Sequence, residues 1–482
     1  MCKETDTALA SGAPFVLTPE LLRRHDVSGP RYTSYPTADR FVEAFGPADY
    51  AQALGQRGGA GAGALPLSLY VHIPFCASLC YYCACNKIIT KHHERAAEYL
   101  RYLAREVDLH LEALGANPAT GQVPAISQLH LGGGTPTFLS DAELRELMRM
   151  LQRAFHFTPG GEYSIEVDPR TIDPARLDVL AELGFNRLSF GVQDFDPAVQ
   201  KAVHRVQPAQ QVFDLVAAAR ERGFESINID LIYGLPLQTP ASFARTLDLV
   251  SQLRPDRVAL YAYAHLPERF KPQRRIDAAQ LPGAASKLTM LSDALARLQG
   301  AGYVYVGMDH FALPGDALAV AQRQGRLHRN FQGYSTQPDC DLIGLGVSAI
   351  GRIGATYSQN AKTLEEYYDA LDRGIFPVQR GLALSRDDLV RRAVIMALMC
   401  QGELMFESIN LAWLIDFKTY FAAELTALRE LAEQGLVTLD LDDRRGGIQI
   451  TPQGWYFVRA IAMVFDRYLQ ADRNRARFSK IL

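Results

Sequence analysis

The chain has 482 residues, 48% of them hydrophobic and 21% charged, an ordinary globular balance. Lys and Arg number 50 against 53 Asp and Glu, a net charge of -3, which argues against a protein built on a broadly basic nucleic-acid surface. An odd count of seven cysteines argues against a secreted disulfide scaffold. No apolar leader opens the chain and no run reaches the roughly eighteen apolar residues of a spanning helix, so a cytoplasmic protein with reduced thiols and no membrane span is expected.

Residues 1–64 read as an N-terminal extension. GPRYTSYPTA at 29–38 is dense in aromatics and Pro, and Tyr32, Tyr35, Phe41 and Phe45 are expected to pack on the body. GQRGGAGAGALP at 55–66 suits a flexible connection. A rhythm of strands and helices then fills 65–378. Strand-like runs stand at 65–73, 126–134, 162–169, 187–193, 226–236 and 257–267. Several read as near-continuous apolar runs, as when both faces of a strand are covered. Helical patterns lie at 141–155, 173–183, 210–223 and 239–253, the first opened by a Ser140/Glu143 capping box. Six strand–helix repeats mean parallel βαβ units in an α/β protein. A doubly wound sheet and a complete or partial β/α barrel both fit that rhythm. Chemistry at successive strand ends favours the barrel. A seventh strand at 303–311 is expected to extend the sheet.

Residues 379–482 form the last predicted domain. Helices at 386–400 and 416–434 lead to the hairpin LVTLDLDDRRGGIQI, and a final helix runs through 452–470. This is a mostly helical, winged-helix-like pattern. The near-neutral charge favours a structural cap or substrate lid over DNA binding.

Four of the seven cysteines crowd into Cys76-Ala-Ser-Leu-Cys80-Tyr-Tyr-Cys83-Ala-Cys85. The segment follows the first strand, where barrel enzymes place active-site loops. Thiolates at Cys76, Cys80 and Cys83 can converge on one soft metal centre. A [4Fe–4S] cluster normally takes four thiolates, so three leave one iron open to a small ligand. A four-cysteine zinc site would need Cys85, and one residue between Cys83 and Cys85 is shorter than the usual spacing. A redox disulfide would use only two of the four. The iron–sulfur reading is favoured because the C-x3-C-x2-C spacing, the bulky aromatic before Cys83 and the βα-loop position coincide.

The motifs YVHIPFCASLCYYCACNK, LHLGGGTPTFL, YSIEVDP, NRLSFGVQDFD, NIDLIYGLPLQTP, YAHLPERF, GMDHFA and LHRNFQGYSTQ follow in one order, after GPRYTSYPTA. In them the chain resembles the radical S-adenosylmethionine (SAM) enzymes, and in particular the oxygen-independent coproporphyrinogen III oxidase (dehydrogenase) family. The resemblance runs over roughly residues 20–480 and implies a partial (β/α)6 barrel with a helical C-terminal domain. It implies a [4Fe–4S] cluster on Cys76, Cys80 and Cys83, with SAM chelated to the open iron. Reductive cleavage of SAM then gives a 5′-deoxyadenosyl radical. Cys85 matches a family cysteine outside the ligand set. It is the candidate catalytic side chain, with a small packed thiol as the alternative reading.

For the first SAM, the resemblance points to Tyr70, the glycine loop at Gly133, Glu166 and Ile350. For a second SAM, it points to Tyr82, Gly134, Thr135, Gln193, Arg205, Asp230 and Ala264. The implied substrate is coproporphyrinogen III, and two of its propionates would become vinyl groups in protoporphyrinogen IX. Four propionates need cationic partners, and Arg31, Lys87, Arg269 and Arg329 stand beside the motifs. An external electron donor such as flavodoxin or ferredoxin and a monomeric state are also expected. The nearest alternatives are the related haem chaperone and a radical SAM methyltransferase. The chaperone generally lacks the cysteine matching Cys85 and the RYTSYPTA segment, and both are present here.

Overall fold

The computed structural model describes residues 19–25, 27–58, 65–442 and 445–471. Cys2, positions 59–64 of the Gly/Ala-rich connection, and two positions of the C-terminal hairpin turn lie outside the described residues.

Six parallel strands pair in sequence order: β1 (Leu67–Ile73), β2 (Ala125–Gly133), β3 (His156–Val167), β4 (Arg187–Gln193), β5 (Ser226–Tyr233) and β6 (Arg257–Ala262). Beyond β6 lie β7 (Val304–Gly307) and β8 (His310–Ala312), an antiparallel hairpin whose second strand pairs with β6. The expected seventh strand does extend the sheet, but the turn at Met308-Asp309 divides it in two. On the other side, β9 (Leu342–Leu345) runs parallel to β1. Antiparallel strands β10 (Ile350–Ile353), β11 (Thr356–Asn360) and β12 (Val378–Ala383) follow it. The twelve strands form one sheet with two free ends, so the barrel is partial. The boundary drawn at 378/379 passes through β12, and the sheet ends at Ala383.

One expectation needs correction. The strands are not apolar on both faces. In β1, Leu67, Leu69, Val71 and Ile73 are all 0% exposed and belong to the apolar core that packs α1 (Glu94–Ala113) and α2 (Asp141–Ala154) onto the sheet. Gln128 and His130 on β2, Ser164 and Glu166 on β3, Ser189 on β4, and Asn228 and Asp230 on β5 turn the other way, into the lumen. Side chains two apart in a strand share a face. The lumen is therefore polar, and the hydrophobic driving force sits in the outer layer of helices.

The capping box at the start of α2 is present, with Ser140 N–H donating to Glu143 Oε2 at 2.7 Å and Glu143 N–H to Ser140 Oγ at 3.3 Å. The C-terminal part runs helix (Arg386–Gln401), strand (Glu403–Met405), helix (Phe406–Trp413), helix (Ala422–Glu433), then a hairpin (Val437–Asp440 with Gly447–Ile450). This is a winged-helix order. The predicted helix at 416–434 is broken at Phe421, and the one at 452–470 divides into Gly454–Phe457, Val458–Met463 and Arg467–Ala471. The domain docks on the β7–β8 side: Trp455 Nε1–H donates to Val306 O at 3.1 Å, and Tyr334 O–H to Met399 O at 3.0 Å.

Candidate active site

The cysteine loop leaves the end of β1. Thr90 N–H donates to Cys76 O at 3.0 Å, Tyr81 N–H to Val203 O at 3.0 Å and Cys83 N–H to Cys80 O at 3.3 Å. Cys76 and Cys80 are buried, Cys83 is half-buried and Cys85 is exposed. Thr135 Oγ1 lies 3.3 Å from Cys76 Sγ. Two guanidinium groups aim at Cys80 Sγ: Arg170 Nη2 at 3.4 Å and Arg205 Nη1 at 3.5 Å. Both are held by Asp168, which accepts from Arg170 Nε at 3.0 Å and Arg205 Nη1 at 3.3 Å. Lys87 Nζ donates to Cys83 O at 3.0 Å and Cys85 O at 3.4 Å. The neighbouring Cys85 thiol and the Lys87 ammonium hold the Cys83 thiol down at about 6.

Among the described residues, no three His, Cys, Asp or Glu side chains are set around a single metal ion. An iron–sulfur cluster spreads its ligands wider than one ion does, so its fit is tested on the donors. Three soft sulfurs on one loop match its chemistry. The Cys85 thiol and the Lys87 ammonium favour thiolate at Cys83, and two guanidinium groups offer N–H donors to Cys80 Sγ. The donor set fits.

The β2 loop lies against the cysteine loop. Gly134 N–H donates to Ile73 O at 2.8 Å, and Thr135 N–H to Phe75 O at 2.9 Å. Gly133 has φ +117 and donates its N–H to Glu166 Oε2 at 3.2 Å. A Cβ on Gly132 would meet Glu166 Oε1 at 3.0 Å and the Tyr70 ring at 3.1 Å. Tyr70 stacks on His130 with ring centroids 6.0 Å apart. Tyr70, Gly133 and Glu166 thus share one corner, and Ile350 opens β10 against Gly344, the residue that pairs with Tyr70.

Glu166 and Asp230 line a cavity of about 170 Å³ inside the barrel. Asp230 accepts from Ser189 Oγ at 3.1 Å and Asn228 Nδ2 at 2.9 Å. Burial, then the nearby Glu166 charge, pushes its carboxyl up to about 6. Gln193 ends β4 with φ +70, and Arg205 Nη2 is pinned to Gly191 O at 2.5 Å. Gln273 Nε2 joins two predicted positions, donating to Tyr82 O at 3.1 Å and Ala264 O at 3.2 Å. The four basic candidates do not form one group. Lys87 serves the cysteine loop, and Arg269 lies over Phe270, its guanidinium 5.8 Å from the ring. Arg31 and Arg329 meet on another side of the lumen, where Arg329 Nε donates to Arg31 O at 3.3 Å.

Sequence reasoning missed Asp168, Arg170, Gln273 and the lumen face of His130. Arg170 left a signal, since it directly follows the strand-end motif IEVDP. Gln273 left none, because its role is to bridge two backbones that are distant in sequence.

Residues 70–250 match the family model of the radical SAM superfamily, and residues 384–457 match that of the HemN C-terminal domain. The chain is 53% identical to the oxygen-independent coproporphyrinogen III oxidase of Pseudomonas aeruginosa, over 96% of this chain and 98% of that one. It is 49% identical to the protein of that name from Escherichia coli K12, over 96% and 98%. A solved structure, coproporphyrinogen III oxidase (HemN) from Escherichia coli, described as a radical SAM enzyme, superposes with a TM-score of 0.85. The sequences there are 48% identical, covering 92% of this chain and 100% of that one.

Proposed function

The chain belongs to the oxygen-independent coproporphyrinogen III oxidases of the radical SAM superfamily, and from that premise we propose how its residues do the work. It is an oxidoreductase of haem biosynthesis. It decarboxylates two propionates of coproporphyrinogen III oxidatively, without oxygen, to the vinyl groups of protoporphyrinogen IX. The observation that carries this reading is near-complete coverage of relatives so named, at 49–53% identity. Relatives at that identity and coverage carry the oxidase name and not that of a chaperone or methyltransferase.

Cys76, Cys80 and Cys83 would hold the [4Fe–4S] cluster, and SAM would bind beside it. When bound, the cluster and SAM together would supply a hydrogen-abstracting carbon radical. Glu166, fixed by Gly133 N–H, accepts the SAM ammonium, and Tyr70 and Ile350 complete that position. Tyr82, Gly134, Thr135, Gln193, Arg205, Asp230 and Ala264 form a second SAM position. There Asp230, held by Ser189 and Asn228, receives ribose hydroxyls. Arg205 contributes through fixed geometry, since its donors already serve Gly191, Asp168 and Cys80. Cys85, exposed beside Cys83, faces the substrate side of the loop. The described part of the N-terminal extension, which sets Arg31 over Tyr261 of the lumen, helps to cover it, limiting side reactions of a radical. An external flavodoxin or ferredoxin donates the electron, and the protein works as a cytoplasmic monomer. Among the described residues no helix is long and apolar enough to cross a membrane.

The test is an anaerobic assay with coproporphyrinogen III, SAM and a reductant, reading carbon dioxide and protoporphyrinogen IX. Stoichiometric haem binding without carbon dioxide would favour the chaperone. Cys80→Ser is expected to abolish both cluster absorbance and SAM cleavage. Unchanged iron content in that variant would overturn the ligand assignment.

A further inference from the structure

Three sequence motifs take no part in the cluster or SAM sites: RYTSYPTA, GMDHFA and LHRNFQGYSTQ. They meet at one place beside the lumen. Arg329 is only 4% exposed. Its guanidinium lies over the Tyr334 ring, 4.6 Å from the centroid. Among the described residues its buried Nη1 has no hydrogen-bond partner. The Tyr334 ring meets His310 edge-on at 5.6 Å, and His310 meets Tyr261 edge-on at 6.2 Å. His310 Nδ1 is likewise buried without a partner. Arg31 closes the circle. It lies over Tyr261 at 5.1 Å, pairs with Asp309 at 2.5 Å and offers its carbonyl to Arg329. Tyr261, His310 and Tyr334 line the lumen cavity.

The charges do not balance. Three guanidinium groups, those of Arg31, Arg329 and the buried Arg459, lie around Asp309, whose carboxylate pairs with Arg31. A buried guanidinium N–H left unpaired is costly, and such groups persist where a ligand completes them. Burial and the two arginines push His310 down to about 4, so near neutrality its ring is an uncharged polar group. One guanidinium N–H, the neutral imidazole as its Nδ1–H tautomer and surplus positive charge together suit a two-oxygen anion.

We propose that Arg329 and His310 form a carboxylate receptor at the β6–β8 side of the lumen that anchors one propionate of the tetrapyrrole. The proposal rests on reading the chain as a coproporphyrinogen III oxidase. His310 is on β8, paired with β6, whereas the cysteine loop follows β1. The anchored propionate is thus a retained one, and its grip fixes which other propionate reaches the reacting end.

The test uses coproporphyrin III, the stable fluorescent oxidised form, and its uncharged tetramethyl ester, titrated into reconstituted protein. Wild type is expected to prefer the acid. Arg329→Gln should weaken acid binding about tenfold or more and leave ester binding in place. Arg329→Lys should recover part of the loss. In turnover, KM rises while kcat is largely kept. Equal loss of acid and ester, or unchanged acid binding in Arg329→Gln, overturns the receptor. If that variant does not fold, Arg329→Lys and His310→Gln read the same discrimination. A wild type that prefers the acid over the ester yet releases no carbon dioxide from coproporphyrinogen III is not an oxidase but keeps its receptor.

Discussion

At Gly134 a methyl group has nowhere to go. A Cβ there would stand 2.7 Å from Pro74 O and 2.9 Å from Phe75 O. Both are backbone atoms of the strand end that launches the cysteine loop, so neither turns aside. Gly134→Ala must therefore push the β2 loop away from Cys76 and Glu166. Overpacking of this kind costs roughly 1–3 kcal/mol, and a shift worth about 1.4 kcal/mol is tenfold in binding. SAM binding by the reconstituted variant, measured by equilibrium dialysis, is expected to weaken at least about tenfold. Iron content should fall less, because the cysteines stand on a different loop. Wild-type SAM affinity would show that the loop yields. The cysteine ligands were legible in the sequence because their spacing is local. The guanidinium aimed at Cys80 was not, because Arg170 lies 90 positions away and only the fold brings it back.

At the scale of elements, α1 shows how a helix sets a site it does not line. Glu106 of α1 is 0% exposed. It accepts from Gly346 N–H at 2.7 Å, Asn360 Nδ2 at 2.7 Å and Tyr367 O–H at 2.6 Å. These bonds pin the β9–β10 turn, and Ile350 follows directly. Burial outweighs the three donors and raises Glu106 from 4.5 to about 7. With a raised folded-state value, the native protein holds a proton that the unfolded chain has released between those limits. Stability attributable to this group is therefore greatest below about pH 4.5 and falls as pH rises towards 7, by on the order of 3 kcal/mol. Glu106→Gln cannot titrate, so its denaturation midpoint should lose this part of the pH dependence between about pH 4.5 and 7. An identical slope in wild type and variant would count against Glu106 as its source. The strands were legible as elements, but the extent of their polar lumen face was not. Apolar residues dominate the runs, and the polar alternation shows only once registers such as Glu166 opposite Ser189 are known.

The whole molecule is tied together by its N-terminal segment. Val42 pairs with Gly381 of β12 through two backbone bonds of 2.8 and 3.0 Å. Arg459 Nε, from the C-terminal domain, donates to Pro30 O at 3.1 Å. Tyr32, 1% exposed, donates its O–H to Asp466 Oδ2 at 2.9 Å. The aromatic content of RYTSYPTA foretold that this stretch packs. It did not say that the stretch joins two domains, because its partners come more than 400 positions later. Strand β9 was missed for a related reason. Four residues among glycines carry too short a pattern to read. The seam makes a prediction that belongs to no single domain. Tyr32→Phe keeps the ring and removes one donor from a carboxylate that is 2% exposed. Asp466 still accepts from Tyr468 N–H at 3.0 Å and Leu469 N–H at 3.1 Å, so the loss is partial, about 1–2 kcal/mol. Local opening of the seam then becomes roughly tenfold more frequent. Amide hydrogen exchange should rise by that factor across residues 28–41 while the protected core strand β1 keeps its rate. A uniform rise across both segments would mean that the segment opens only with the whole protein and is not a separate seam.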